Sequence, residues 1–109
     1  MIGLIQDAVD GLADALRDEN KMVRRAAAKA LGKIGVASDA ALTGLSTALL
    51  DVDSSVRRFA AEALGRLGDA TMVPELAQAL DDKDPKAKIA AFRALAEVSP
   101  PAVKSNGRI

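Results

Sequence analysis

The sequence predicts an all-α fold, an α-solenoid of about three stacked helical hairpins, and two observations carry that prediction. The stretch VRRAAAKALGKIG at 23–35 returns as VRRFAAEALGRLG at 56–68, with nine of thirteen positions identical. Half of the 109 residues are apolar, yet only Phe59 and Phe92 are aromatic and 23 residues are alanine. Alanine has the best intrinsic helix propensity, and helices carrying it pack closely on small side chains. A repeat period in the thirties is the signature of stacked helical units, because one hairpin cannot bury its apolar face alone.

Three segments align: LADALRDENKMVRRAAAKALGKIG from Leu12, LSTALLDVDSSVRRFAAEALGRLG from Leu45 and LAQALDDKDPKAKIAAFRALAEVS from Leu76. The units run from about 5–35, 38–68 and 70–99, and residues 100–109 read as a flexible C-terminal tail. Each first helix shows apolar residues at helical spacing, as in Val9, Leu12, Ala13, Leu16, then Leu42, Leu45, Leu49, then Val73, Leu76, Ala77, Leu80. A polar turn follows. Asn20, Asp53 and Asp84 stand where a side chain accepts from free first-turn amides, and Pro85 suits a first helical position.

The second helices carry one apolar face each: Val23, Ala27, Ala30, Leu31, Ile34; Val56, Ala60, Ala63, Leu64, Leu67; Ala87, Ala91, Ala94, Leu95, Val98. Gly35 and Gly68 follow the first two as left-handed terminators. Ser99, Pro100 and Pro101 stop the third.

The pattern D-x-[DN]-x-x-V-R-x-x-A-A-x-A-L-G-x-[IL]-G, complete at 18–35 and 51–68, resembles the HEAT-like repeat of the phycobilisome-lyase type. The third unit departs from it with Lys88, Ala96 and Ser99 in place of Arg, Gly and Gly. The resemblance implies a ladder joining successive turns, mapped here as Asp18 with Arg24, Asp51 with Arg57 and Asp82 with Lys88. Lysine in the last pair lacks the bidentate fork of arginine. The resemblance also implies second helices that line a concave side.

With no His, Cys, Trp or Tyr, the groups that most often serve as nucleophiles, acid–base catalysts and transition-metal ligands are nearly absent. No enzyme activity, cofactor or metal is expected. Asp81, Asp82 and Asp84 lack the twelve-residue calcium loop with its central Gly and final Glu. The start, MIGLIQDAVDGLADAL, has no basic leader and meets Asp7 and Asp10 early, and no apolar run nears the roughly 20 residues of a spanning helix. The expectation is a cytoplasmic protein with no membrane partner.

Fifteen Lys and Arg balance fifteen Asp and Glu, but unevenly along the chain. Residues 1–20 carry Asp7, Asp10, Asp14, Asp18 and Glu19 against Arg17, and 21–35 carry only cations. On the second helices, Arg25, Lys29 and Lys33 point away from the buried face, because a step of four residues turns a helix by about 40°. The matching line is Arg58, Glu62, Arg66 in unit two and Ile89, Arg93, Glu97 in unit three. The candidate partner-binding surface is therefore Lys21, Arg25, Lys29, Lys33, Arg58, Glu62, Arg66, Lys86, Ile89 and Arg93. Phe59 and Phe92 are expected to pack within the core or at its ends, with contact to a partner as the alternative, and Ile89 is expected to be exposed, an apolar contact on the concave side.

The function expected is a non-enzymatic interaction or scaffold module holding a protein with an acidic surface on a basic concave face. The alternatives are binding to a nucleic-acid phosphate backbone, as some HEAT-like DNA glycosylases use such a line, and a component of a bilin lyase, which the resemblance permits. Zero net charge and three units count against nucleic acid. Unburied ends also make a homodimer through an end repeat an expectation.

Overall fold

The computed structural model describes residues 2–98 and places six α-helices there: α1 (Ile2–Ala15), α2 (Lys21–Ile34), α3 (Asp39–Ala48), α4 (Ser54–Leu67), α5 (Val73–Ala79) and α6 (Pro85–Val98). A single 3₁₀ turn, Ala70–Met72, leads into α5. The expected end of the third hairpin at Ser99 and the tail at 100–109 lie outside the described residues. No strand occurs among those described.

Helix ends follow the local chemistry. Asn20 accepts the Met22 N–H, Asp53 accepts the Val56 N–H at 2.9 Å and Asp84 accepts the Ala87 N–H at 3.0 Å, each filling an otherwise free first-turn donor. Gly35 and Gly68 close α2 and α4 at φ values of 73° and 67°, where a Cβ would be strained. Ser38 opens α3 with its hydroxyl on the Ala41 N–H.

The hairpins stack in two layers. α1 and α3 pack side by side, while α2, α4 and α6 form a second layer with α4 between the other two. The core runs continuously through Leu16, Leu31, Leu45, Leu64 and Leu76, filled in by alanines. α5 packs on α6 and makes little contact with α3.

Close approach between second helices rests on glycine. A Cβ added to Gly65 would lie 2.8 Å from the Cα of Ala94, and one on Gly32 would lie 3.1 Å from the Cα of Ala63. Gly11, in the middle of α1, faces open space. The expected outcome is opposite in sign at these two sites. Gly65→Ala lowers stability by about 1–2 kcal/mol, since overpacking against backbone outweighs the gain in helix propensity. Gly11→Ala raises it by about 0.5–1 kcal/mol, the propensity term alone. Urea midpoints of the two variants measure both.

Candidate functional site

The ladder between turns is present, but its rungs run forward from one repeat to the next. Arg24 gives Nε to Asp51 Oδ2 at 2.8 Å and Nη2 to Asp51 Oδ1 at 3.1 Å. Arg57 does the same to Asp82, at 2.8 and 3.1 Å. The third guanidinium nitrogen of each arginine turns back to its own turn, Arg24 Nη1 to the carbonyls of Asp18 and Glu19, and Arg57 Nη1 to those of Asp51 and Val52. The pairs mapped from the resemblance, Asp18 with Arg24 and Asp51 with Arg57, are thus corrected. Within a unit the arginine meets main-chain oxygen, and its carboxylate lies one repeat on. Lys88 forms no ion pair among the described residues. The side chains of Arg57 and Asp82 are only 12% and 8% exposed, so the fork-to-carboxylate pairing is shielded from water.

Arg25 belongs to this structural set. Its Nε and Nη2 reach Asp53 at 2.9 and 2.8 Å, and the same carboxylate caps α4. The Arg25 fork, opposed by burial and aided by the Val56 N–H, holds the Asp53 carboxyl well below the usual range, and Asp53 raises the Arg25 guanidinium in return. In the second hairpin Arg58 instead pairs along its own helix with Glu62, at 3.2 Å.

The other cations of the expected surface, Lys21, Lys29, Lys33, Arg66, Lys86 and Arg93, are exposed and have no carboxylate partner among the described residues. Lys29 of α2 and Arg58 of α4 lie over the half-buried Phe59 ring, at 5.1 and 5.2 Å from its centroid. Each gains from the negative face of the ring. Phe59 thus packs against the core, as expected, and at the same time forms a platform between two second helices. Ile89 is 48% exposed, as its helix position requires. Phe92 is 56% exposed, whereas its equivalents Ala28 and Ala61 are buried.

Two clefts, of about 530 and about 740 Å³, lie on the side of the turns, where Leu50 and Val52 are exposed. Neither is lined by a residue of the predicted surface. Among the described residues no group of three or more acidic side chains is placed to hold a metal ion, and no helix is long and apolar enough to cross a membrane.

The fold defines a class: a short helical-repeat solenoid, pinned by inter-repeat arginine–aspartate pairs, whose second helices pack into one layer. The family model for HEAT repeats matches residues 2–58 and 42–105, and the chain belongs to that family. HEAT repeats are commonly protein-interaction scaffolds and are generally not enzymes. No curated protein matches the sequence.

Proposed function

We propose that the protein is a non-enzymatic, cytoplasmic interaction module that holds an acidic protein surface against the face of α2, α4 and α6. The observation that carries this reading is the set of exposed cations without an ion pair among the described residues, Lys29, Lys33, Arg66 and Arg93, on the helices that also carry the Phe59 platform and the exposed Ile89. Lys21 and Lys86 extend the row at the first turns of α2 and α6. Charge of this arrangement steers an acidic partner and sets its register, while Phe59 and Ile89 supply apolar contact. Arg25 and Arg58 support the surface by holding Asp53 and Glu62. The motifs at 18–35 and 51–68 favour the phycobilisome-lyase type within the family, and retention of a bilin on co-expression with the pigment tests that finer assignment.

The test is capture from a host lysate with the wild type and with Lys29→Glu, Arg66→Glu, Arg93→Glu, each with and without nuclease. Arg25 is left intact because a glutamate there would face Asp53 and disturb the stack. The expected result is a protein retained by the wild type, lost by the triple variant and indifferent to nuclease. Retention that nuclease abolishes would move the reading to a nucleic-acid backbone, whose binding also weakens steeply with salt. Equal retention by both baits would remove this face from consideration.

A further inference from the structure

Each of the first two second helices presents the following repeat with one stripe at i, i+4 and i+8: Arg24, Ala28, Gly32 on α2 and Arg57, Ala61, Gly65 on α4. The arginine takes the next turn's aspartate, the alanine is buried, and the glycine lets the next helix come within Cβ distance of its backbone. The receiving sides are equally regular. They are Asp51, Val56 and Ala63 in the second repeat and Asp82, Ala87 and Ala94 in the third, with both apolar pairs buried.

The first repeat carries the same receiving set, Asp18, Val23 and Ala30, with nothing packed on it among the described residues. Val23 is 39% exposed where Val56 is 0%. Ala8 is exposed where its equivalent Ala41 is buried. Asp18 is already held in the pose of the occupied rungs: its Oδ1 accepts the Asn20 N–H at 2.8 Å, as Asp51 and Asp82 accept the Asp53 and Asp84 N–H at 2.9 Å. The second oxygen of Asp18, which in Asp51 and Asp82 receives an arginine Nε, has no side-chain partner among the described residues.

The other end is not its complement. On α6 the stripe reads Lys88, Phe92, Ala96. Lysine lacks the fork, the phenyl ring stands where the stack buries a methyl, and Ala96 puts a Cβ where the two internal contacts require none. Among the described residues the two ends therefore differ: one carries the receiving set, and the other lacks the Arg–Ala–Gly stripe.

We propose that the α1–α2 end is a docking surface for a repeat helix of another chain bearing an Arg-x₃-Ala-x₃-Gly stripe. The arginine pairs with Asp18 and the glycine closes on Ala30. The end is acidic, with Asp7, Asp10, Asp18 and Glu19 exposed and Arg17 engaged by Asp14, which complements an arginine-bearing helix. The α6 stripe argues against a second copy as occupant. This inference stands apart from the basic face, because it uses none of the residues there.

The test restores the missing stripe on the full chain, as Lys88→Arg, Phe92→Ala, Ala96→Gly, and uses that variant as the probe. All three positions are exposed, so the fold is retained, and helicity and a cooperative melt check that. In sedimentation the wild type is expected to remain a monomer. The restored variant is expected to form oligomers that lengthen with concentration, because a head-to-tail contact does not close on itself. Adding Val23→Glu should return it to monomer, and excess wild type should shorten the oligomers by capping them. A folded variant still monomeric at about 0.5 mM, the regime of the weakest specific contacts, would overturn the proposal. So would oligomers indifferent to Val23→Glu, or a wild type that itself pairs through this end and so makes a second copy the occupant.

Discussion

Replacing Leu64 with alanine lowers the free energy of unfolding by about 3–4 kcal/mol, within the range for emptying a leucine-sized site in a packed core. Leu64 is fully buried on α4, the helix that packs on both α2 and α6. Its neighbours along the helix are Ala60, Ala61 and Ala63, whose methyl groups cannot swing into the space left behind. Native domains have only about 5–15 kcal/mol of stability in all, so the loss is a large share of the total. It should appear as a fall in melting temperature of about 12–20 °C for a chain of this size. Leu50→Ala is the matched control: at 80% exposure it should change stability by less than about 0.5 kcal/mol. A comparable loss at both positions would mean that Leu64 is not at the centre of the core.

Asp82→Ala is expected to cost about 2–3 kcal/mol, somewhat below the ~3–5 of a fully buried pair broken on one side. The substitution strands the Arg57 guanidinium in a largely shielded site and removes the acceptor of the Asp84 N–H, at the start of α6. Asp82→Asn keeps that acceptor and should lose roughly half as much. Acid titration reads the same rung. Burial raises the Asp82 carboxyl, but the Arg57 fork and the Asp84 N–H outweigh it and leave it below its ordinary value. Asp53 is also lowered, by Arg25 first. A lowered folded-state value gives stability that is present above the unfolded carboxyl value of about 4 and lost as pH falls through the folded one. With no histidine or cysteine in the chain, stability should be nearly level between about pH 5 and 8 and should drop below about pH 4. Asp82→Ala should flatten part of that drop, as chemical denaturation across pH will show.

Several features of the ladder and the surface were within reach of the sequence, and the reasons differ. The caps at Asn20, Asp53 and Asp84 and the glycine stops at 35 and 68 are local chemistry, satisfied within a few residues of chain. The rungs are not local. Arg24 and Asp51 are 27 residues apart, and only the stacking distance decides that the arginine looks forward to the next turn. One signal was available: Asp82 keeps its place although Lys88 has replaced the arginine of its own unit, which is compatible with a partner in the preceding repeat, though its bond to the Asp84 N–H is reason enough to keep it. Arg25 and Arg58 occupy the same position in the repeat, yet one reaches Asp53 across the interface and the other folds back to Glu62. Part of that difference is local, since Glu62 stands four residues after Arg58 where Lys29 stands four after Arg25; that Arg25 then finds Asp53 is decided only by the stacking.

By itself the sequence determined the all-α class, the helical hairpins and their caps, because repetition, helical periodicity and terminal hydrogen bonds are properties of short stretches of chain. Only the tertiary structure decided which cations pair with a carboxylate, that Phe59 serves as a platform for Lys29 and Arg58, and that Phe92 stands exposed. It also decided that Val23 is left exposed at the first end of the stack while Val56 is buried. Those outcomes depend on which side chain of one repeat lies opposite which side chain of the next. Packing sets that registry across roughly thirty residues of sequence, beyond the reach of any local rule.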